Sequence, residues 1–390
     1  MNIKKMIIPP SWPDVTAKEI KAVIKILRTS YLGRGPVVYE FEKMLARYIG
    51  VRHAVATSSG TSALHLAVEV LGIGRGDLVI TTPFSFIASS NCMLFVGARP
   101  VFVDIDSKTL NININEVEKQ VKKLQSRPAT RRKLKAILAV DIFGYPADWK
   151  ALRRIARTYG LYLIEDAGEA LGAELQYEGK WRKAGSFGNV AILAFTHNKQ
   201  ITTGEGGVLL TNNKRLAELA WSKKNHGREI GGGWLDHVRL GYNYHLSDMN
   251  CALGIAQLKR IKQILEKRKR VAALYTKSMR DIKDIELPYV DVGVKRSWFV
   301  YVVRLAGFYT KRDRDRLIKR LLNRGIHCRN YFPSIHLQKF YRDTFGYKKG
   351  DFPVTEDVSE RTIALPFYGN MHKHQIDYVA RNFIDVLKKS

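Results

Sequence analysis

Residues 188–211 read GNVAILAFTHNKQITTGEGGVLLT, and this stretch predicts two strands joined by a short polar connection that carries Lys199. Residues 190–195 and 208–211 are apolar runs of strand length. The GEGG at 204–207 lets backbone or a ligand approach closely. A lysine held between such runs can lose its proton and act as a nucleophilic amine. An ordinary hairpin with a solvated lysine explains the same pattern, so the rest of the chain must decide.

Outward from this stretch, apolar runs alternate with helical patterns. The runs are 53–57, 78–82, 100–104, 135–140 and 161–164. Such alternation predicts an α/β fold with a mostly parallel, doubly wound sheet. We expect a large domain at 1–247, including an N-terminal segment. We expect a basic bridging helix at 248–279 to lead into a small α+β domain, so that the second unit covers 248–390.

Composition narrows the class of protein. The chain has 390 residues, of which 45% are hydrophobic and 26% are charged, as in soluble globular proteins. No apolar run reaches the roughly 18 residues that a membrane span needs, and the N-terminus lacks a signal-like apolar run, so we expect a cytoplasmic protein. Cys92, Cys251 and Cys328 are scattered and odd in number. A disulfide framework and a structural zinc site are therefore not expected.

The formal net charge of +29 is open to several interpretations. It could attract nucleic acid, an anionic membrane surface or a polyanionic small substrate. Basic residues are densest at 131–135, which resembles an exposed loop, and at 259–270, which has helical spacing. A solvated basic face is the simpler interpretation. No zinc finger or RNP motif supports nucleic-acid binding, and the charge also suits a nucleoside diphosphate.

Three further segments carry candidate site residues. A strand, small hydroxylated residues and a helix follow one another at 53–71, which favours anion binding, although an N-cap by Ser59 or Thr61 explains the pattern equally well. Phe86 follows the strand at 78–82 and could be core or a platform for a ring. Asp166 stands at a strand end, where catalytic groups gather in such sheets, but it could also cap the next helix.

Together, a lysine, an aspartate, an anion-binding turn and an aromatic ring describe a pyridoxal phosphate (PLP) site. The lysine forms a Schiff base with the cofactor, and a carboxylate keeps the pyridine nitrogen protonated. Backbone N–H groups hold the phosphate, and the aromatic ring stacks on the cofactor. Each feature is weak alone, so the interpretation depends on their order and spacing.

In order and spacing the chain resembles the DegT/StrS-type nucleotide-sugar aminotransferases over nearly its full length. The segments that carry the resemblance are PSWPD, LGRGPVVYEFE, SSGTSALHLA, TTPFSFIASSN, PVFVDID, IFGYPAD, IEDAGEALGA, NKQITTGEGGVLLT, GYNYHLSDMNCALGIAQLKR and FPVTEDVSERTIALP. NKQITTGEGG and EDAGEALGA together are highly specific. The resemblance implies the fold of the PLP-dependent transferases.

The resemblance also implies roles for individual residues. Lys199 would form the Schiff base and relay a proton, Asp166 would pair with the pyridinium nitrogen, and Phe86 would stack on the ring. Phosphate contacts are implied for Gly60, Thr61 and Ser62. Asn243 resembles the residue that reaches the cofactor phosphate of a neighbouring subunit, which implies a homodimer with shared active sites.

Three positions depart from the family pattern. Glu169 stands where the family commonly has Gln or His beside the ring oxygen, and a carboxylate there repels the phenolate unless it stays protonated. Ala194 replaces a phosphate-binding Ser five residues before the lysine. Asp141 replaces a common His before the Phe-Gly turn. These departures affect the phosphate contacts and the choice of sugar.

The implied reaction transfers an amino group from L-glutamate to a 3-keto or 4-keto group of a nucleotide-activated deoxyhexose. Loops at 31–38, 225–234 and 330–341 are expected to select the sugar. One alternative is a pyridoxamine phosphate (PMP)-dependent sugar dehydratase, but that relative carries His at the lysine position, and here His197 lies two residues earlier. Another alternative is a non-catalytic regulator that binds nucleic acid.

Overall fold

The computed structural model describes residues 6–233 and 235–389. Its helices are α1 (Ala17–Leu27), α2 (Pro36–Ile49), α3 (Gly60–Val70), α4 (Ala88–Phe95), α5 (Ile114–Gln125), α6 (Pro128–Arg131), α7 (Trp149–Tyr159), α8 (Lys214–Lys224), α9 (Asp248–Lys259), α10 (Ile261–Met279), α11 (Lys311–Asn323), α12 (Lys339–Phe345), α13 (Pro353–Arg361) and α14 (Lys373–Lys388). Its strands are β1 (His53–Thr57), β2 (Leu78–Thr81), β3 (Arg99–Phe102), β4 (Leu134–Val140), β5 (Tyr162–Asp166), β6 (Glu174–Tyr177), β7 (Lys180–Lys183), β8 (Val190–Ala194), β9 (Gly207–Thr211), β10 (Ile285–Glu286), β11 (Val294–Lys295), β12 (Tyr301–Leu305) and β13 (Thr362–Leu365).

A seven-stranded sheet in the order β1-β9-β8-β5-β4-β2-β3 forms the larger part of the molecule. The strands β3, β2, β4, β5 and β8 run parallel, and β9 is antiparallel to both of its neighbours. The predicted α/β class with a mostly parallel sheet is confirmed. The carboxyl ends of β5 and β8 are adjacent, since Asp166 pairs with Ile192, and this adjacency positions the site described below.

Helices cover both faces of this sheet because its central strands are largely apolar and buried. Residues 136–140 of β4 are buried without interruption, as expected for a parallel strand covered on both sides. The α7 helix contributes Trp149, Leu152 and Ile155 at helical spacing, and all three are fully buried. Burial of each such side chain contributes about 1.5–3 kcal/mol. Gly160 ends α7 in the left-handed conformation, with φ of 65°.

A second hydrophobic core lies around the three-stranded sheet β10-β12-β13. Tyr275 and Met279 of α10, Leu317 of α11 and Phe383 of α14 are fully buried in this core. Ile8 from the N-terminal segment also packs there. The domain boundary at 247/248 stays a prediction. A third small sheet, β11-β6-β7, includes a hairpin that the sequence pattern did not single out.

The predicted continuous helix at 248–279 is wrong, because α9 ends at Lys259 and α10 begins at Ile261. Arg260 lies between them with φ of −107° and ψ of 7°. Its buried side chain hydrogen bonds to Asp14 and Glu19 at the N-terminal end of the chain. A continuous helix would direct that side chain elsewhere.

The basic segment 131–135 is also only partly a loop, since one turn of helix ends at Arg131 and β4 begins at Leu134. Within the ranges given above, no helix has the length and apolar character that crossing a bilayer requires.

Candidate active site

Lys199 lies in the connection between β8 and β9. The connection folds back on itself, because the Phe195 N–H donates to the Gly206 carbonyl and the Thr203 N–H donates to the Phe195 carbonyl. The Lys199 side chain is only 14% exposed. Its amine lies 4.1 Å from the centroid of the Phe299 ring. The structure therefore contradicts the alternative of a hairpin with a solvated lysine.

The amine opens into a cavity of about 330 Å³, a size suited to a small molecule. The wall is formed by the ends of β5 and β8, the start of α3, the segment before α4, the segment before β12 and residues 331–332. Of the predicted site residues, those that line the cavity are Gly60, Thr61, Phe86, Asp166, Glu169 and Lys199. These residues, which are far apart in the sequence, thus line one cavity.

Asp166 ends β5 with its carboxylate on the cavity wall. Ser89 donates a 2.6 Å hydrogen bond to one carboxylate oxygen, and the Gly168 N–H donates a 3.0 Å bond to the other. Burial raises the pKa of Asp166, and these two bonds and the charge of Lys199 oppose that shift. A cation facing the carboxylate would favour its ionised form further. The side chain is fixed in orientation and retains lone pairs for a ligand.

Glu169 is the charged group nearest to the reactive amine. One carboxylate oxygen lies 3.8 Å from Lys199 Nζ, and the other accepts a 2.9 Å hydrogen bond from the Phe143 N–H. Burial raises the pKa of Glu169 and lowers the pKa of Lys199, although the two opposite charges partly offset both shifts. Both shifts favour the uncharged forms. A neutral amine is the form that can act as a nucleophile.

The start of α3 offers two free backbone donors. The side chain of Ser59 accepts from the Ser62 N–H, and the Ser62 hydroxyl accepts from the Ser59 N–H, which together form a capping box. The N–H groups of Gly60 and Thr61 have no partner among residues 6–233 and 235–389. These two groups and the helix dipole can bind an anion.

Ser62 itself is turned away from the cavity, because its hydroxyl lies among Ser58 and Ser59. The close approach of α3 to β8 also explains the residue at 194. A Cβ built on Gly60 would lie 2.7 Å from the Ala194 Cβ, so the helix start packs directly against that methyl group. A larger residue at 60 does not fit. The small residue at 194 leaves the backbone donors, rather than a side-chain hydroxyl, to bind a phosphate.

Phe86 and Asn243 both carry exposed side chains, but they lie in different places. Phe86 is 61% exposed and lies at the cavity wall, as a ring that stacks on a ligand must. Asn243 lies outside the cavity, in a bridge with Asn225. It therefore makes no contact with the site of its own chain. Its predicted contact with a neighbouring subunit stays a prediction.

Two contributors to the site were missed by sequence reasoning. Ser89 lies one helical turn after Phe86 in the quoted TTPFSFIASSN segment, so a hydroxyl on the inner face of that turn was the available signal. Phe299 lies just before β12, 100 residues after Lys199, and no local pattern predicts such a contact.

The residues present fit a PLP molecule. The cavity provides a buried amine, a carboxylate held by two hydrogen bonds and an exposed aromatic ring. The two unpartnered N–H groups of Gly60 and Thr61 supply an anion site on the same wall. This donor set matches an aldehyde, a ring nitrogen, a flat ring and a phosphate in turn.

Comparison with known proteins gives a consistent result. The model of the DegT/DnrJ/EryC1/StrS aminotransferase family matches residues 13–384. GDP-perosamine synthase from Caulobacter vibrioides is 34% identical over 377 residues, which cover 96% of this chain and 97% of that protein.

Two solved structures resemble the fold closely. Helicobacter pylori PseC, an aminotransferase involved in the biosynthesis of pseudoaminic acid, has a TM-score of 0.91 at 26% identity and covers 99% of this chain and 100% of its own. The PLP form of Spr1654 from Streptococcus pneumoniae, a putative sugar aminotransferase, has a TM-score of 0.89 at 26% identity, with 98% and 99% covered.

Proposed function

Because the chain belongs to the DegT/DnrJ/EryC1/StrS aminotransferase family, we propose that it transfers an amino group from L-glutamate to a keto group of a nucleotide-activated deoxyhexose. It is a PLP-dependent aminotransferase. The observation that carries the proposal is the buried amine of Lys199, which shares one cavity with the fixed carboxylate of Asp166. The relatives named above support a nucleotide-sugar acceptor, as does the net charge of +29.

When bound, PLP supplies an aldehyde that links covalently to amines and a ring that withdraws electrons from the substrate carbon. Lys199 Nζ would be the nucleophile that holds the cofactor. As a free amine, Lys199 Nζ would accept the proton that leaves the α-carbon of the donor and would give the same proton back to the reacting molecule, which is general acid–base catalysis. The lowered pKa of Lys199, caused by burial, suits this role because a protonated amine cannot accept a proton.

The surrounding residues orient the reactants. Asp166 would pair with the ring nitrogen, and Ser89 and Gly168 keep its carboxylate in one orientation. Phe86 would cover one face of the ring. Glu169 lies beside the amine. Its raised pKa favours the neutral acid, which would donate a hydrogen bond to the ring oxygen of the cofactor instead of repelling it.

We extend the proposal to a homodimer in the cytoplasm. Exposed apolar side chains support a second copy as partner, because large apolar patches rarely face water in a monomer. They lie on α1, in the loop after it and within 230–233 and 235–240; the side chains are Ile20, Ile24, Leu27, Tyr31, Leu32, Ile230, Leu235, Val238 and Leu240. Asn243 lies close by in sequence, outside its own cavity, and would complete the phosphate site of the partner.

The two alternatives lack support from the site. A dehydratase of this fold has no lysine to hold the cofactor, whereas Lys199 is present here and lines the cavity. A regulator that only binds nucleic acid has no need for a buried amine beside two buried carboxyl groups.

The test uses the purified protein loaded with PLP. Incubation with L-glutamate alone is expected to release 2-oxoglutarate and to convert the cofactor to its amine form, which changes its absorbance. A panel of nucleotide 3-keto and 4-keto sugars is then added, and mass spectrometry identifies the aminated product. D-glutamate serves as the matched control.

Each half of the reaction can fail separately. Absence of 2-oxoglutarate would contradict the choice of donor, and a panel of other amino acids would then replace it. Release of water from the sugar without gain of an amino group would favour the dehydratase. Salt-dependent DNA retention without turnover of any substrate would favour the regulator.

A further inference from the structure

Arg268 of α10 carries a buried guanidinium group that has no carboxylate partner within residues 6–233 and 235–389. The residue is 4% exposed, and no Asp or Glu oxygen of the described residues lies within ion-pair distance. Burial lowers the pKa of Arg268 to about 10. Buried charges are costly and are normally paired with an opposite charge. A different set of interactions must therefore hold this one.

Backbone carbonyl groups from two distant segments surround the guanidinium. Nη2 donates to the Lys199 carbonyl at 2.9 Å and approaches the Asn198 carbonyl at 3.5 Å. Nη1 donates to the Phe299 carbonyl at 3.2 Å and approaches the Trp298 carbonyl at 3.4 Å. The planar fork of arginine presents several N–H groups at fixed angles, so a single side chain can join both segments.

These carbonyl groups need a donor from outside their own segments. Lys199 lies in the irregular connection between β8 and β9, and Phe299 precedes the first residue of β12. Neither carbonyl belongs to a helix or a sheet ladder, and a buried carbonyl without a donor costs about 1–3 kcal/mol. Arg268 supplies the donors that secondary structure supplies elsewhere.

We propose that Arg268 is a positioning residue for Lys199. Its guanidinium fixes the peptide that carries the reactive amine and, at the same time, the segment that carries Phe299. The Phe299 ring lies 4.1 Å from Lys199 Nζ, so both the amine and its aromatic wall depend on the same side chain. The inference deepens the proposed function, because it rests on the assigned role of Lys199.

Arg270 provides a matched control on the same helix. Its Nη2 donates to the Gly369 and Met371 carbonyl groups at 3.3 and 2.7 Å. It therefore joins α10 to two backbone carbonyls, as Arg268 does, but at a place remote in sequence from Lys199. A general loss of a carbonyl-binding arginine should affect both variants alike, whereas loss of positioning should affect only Arg268.

The experiment compares R268A, R268K and R270A in the PLP-loaded enzyme. R268A is expected to lower kcat by about 10- to 100-fold with KM for glutamate changed by less than about threefold, because a misplaced reactive group costs rate more than binding. Free guanidinium ion, added well below denaturing concentrations, should restore part of the rate. R268K should retain an intermediate rate, since one ammonium reaches one pair of carbonyls, and R270A should stay within about twofold of the wild type.

A second measurement uses the cofactor-free protein and needs no substrate. The pH dependence of acetylation of Lys199 by acetic anhydride, followed by peptide mass spectrometry, gives the pKa of the amine. R268A is expected to raise that pKa, since burial is what lowers it and a misplaced Lys199 peptide lets water reach the amine. R270A should leave it unchanged.

Two results would overturn the inference. The first is an unchanged kcat and an unchanged Lys199 pKa in R268A and R268K, even with a lower melting temperature, because the side chain then only stabilises the fold. The second is an equal loss in R270A. If R268A does not fold, the R268K measurements decide. If the wild type turns over no donor at all, the proposed function fails, and the acetylation of the cofactor-free protein still tests Arg268.

Discussion

Two buried clusters of charged side chains in this molecule are built in opposite ways. In the cluster that we call the clasp, Arg260 donates to Asp14 at 3.0 Å and to both oxygens of Glu19 at 2.8 and 2.9 Å. In the cluster around Lys199, the shortest ion pair is 3.8 Å long and the side chains face a cavity. Both clusters are removed from solvent, so burial alone does not distinguish them.

The pKa shifts follow this difference in hydrogen bonding. Burial favours the neutral acids in the clasp, but hydrogen bonds from Thr16, Arg260 and Lys267 outweigh it and lower the pKa of Asp14 and Glu19. Around Lys199 burial prevails instead. A buried charge that is fully hydrogen bonded stabilises the fold, whereas one that is left short of partners is poised to exchange a proton.

The largest expected effect comes from removing the amine. K199M should lower transamination by at least about 10³-fold, since nucleophile and proton carrier are lost together. The cofactor-free variant should unfold at the same denaturant concentration as the wild type or a higher one. The reason is that the lowered pKa of Lys199 costs stability at all pH values below the ordinary value of 10.5.

The measurement combines a transaminase assay with urea unfolding followed by circular dichroism. K214M, which alters an exposed lysine of α8, is the matched control and should leave both unchanged. A K199M protein that kept its activity would contradict the proposed function. One that unfolded much more easily would show that the amine stabilises the fold after all.

Removing Arg260 from the clasp should instead lower the stability and leave the activity nearly unchanged. R260L removes the guanidinium from Asp14 and Glu19 and leaves them only their bonds to Lys267 and Thr16. Loss of one partner of a buried ion pair costs about 3–5 kcal/mol of unfolding free energy. The kcat of the molecules that remain folded should change by less than about threefold. Urea unfolding and active-site titration with PLP separate the two quantities.

The clasp should also make the protein sensitive to acid. A lowered pKa of Asp14 and Glu19 adds stability above the ordinary values of 3.8 and 4.5, and this stability is lost as the pH falls through the lowered pKa values. The wild type should thus lose stability below about pH 4, and R260L should show a smaller loss. An equal loss of stability in both proteins would show that the clasp does not cause the sensitivity to acid.

The comparison also shows what the sequence could and could not predict. The sheet and the two strands around Lys199 followed from local apolar runs, whereas the cavity residues were implied by the resemblance of the quoted motifs to the family. The clasp was not predictable, because Arg260 and Asp14 are 246 residues apart. Its basic neighbours read as one continuous helix, and the break at Arg260 depends on that distant contact.

Contacts between distant segments limit the prediction of the site in the same way. Arg268 and Phe299 contact Lys199 although they lie 69 and 100 residues after it in the chain. Local spacing fixes which face of a helix or strand a residue occupies, but not which distant segment meets it. The raised pKa of Glu169 depends in turn on its burial, which no local pattern predicts.

A third buried cluster, around Asp141, is intermediate in hydrogen bonding between the clasp and the Lys199 cluster. It should make the stability of the protein depend on pH. Asp141 uses one oxygen to accept from the Ala147 N–H and from Trp149 Nε1, while its other oxygen has no donor among the described residues. It faces Glu165, which is also fully buried. Burial and their mutual charge raise the pKa of Asp141, and burial raises the pKa of Glu165 to about 7.

Such a pair must hold a proton that the unfolded chain has already lost above its ordinary pKa of about 4. The native state therefore binds more protons, and stability falls as the pH rises toward 7 and beyond. D141N places an amide donor opposite Glu165 and removes the need for that proton. Relative to the wild type, D141N should gain about 1–3 kcal/mol at pH 8 and little at pH 5.

Urea unfolding of both proteins at the two pH values checks this prediction. D148N, which alters a helix cap seven residues later, is the matched control and should show no such dependence on pH. A D141N protein with the wild-type pH profile would show that the pair does not share a proton.

The smallest effect is expected for a surface ion pair whose charged atoms lie closer together than those of Lys199 and Glu169. Lys373 Nζ lies 2.7 Å from Asp377 on the surface of α14, with 74% of the lysine side chain and 34% of the aspartate exposed. K373A should change the unfolding free energy by no more than about 0.5 kcal/mol, because water and salt screen exposed pairs. A lysine in the first turn of a helix also opposes the helix dipole, which further reduces what Lys373 contributes to stability. If K373A lowered the unfolding free energy as much as R260L does, the distance between the charges, rather than burial and hydrogen bonding, would determine how much each ion pair stabilises the fold. The contrast between the clasp and the Lys199 cavity would then have no physical basis.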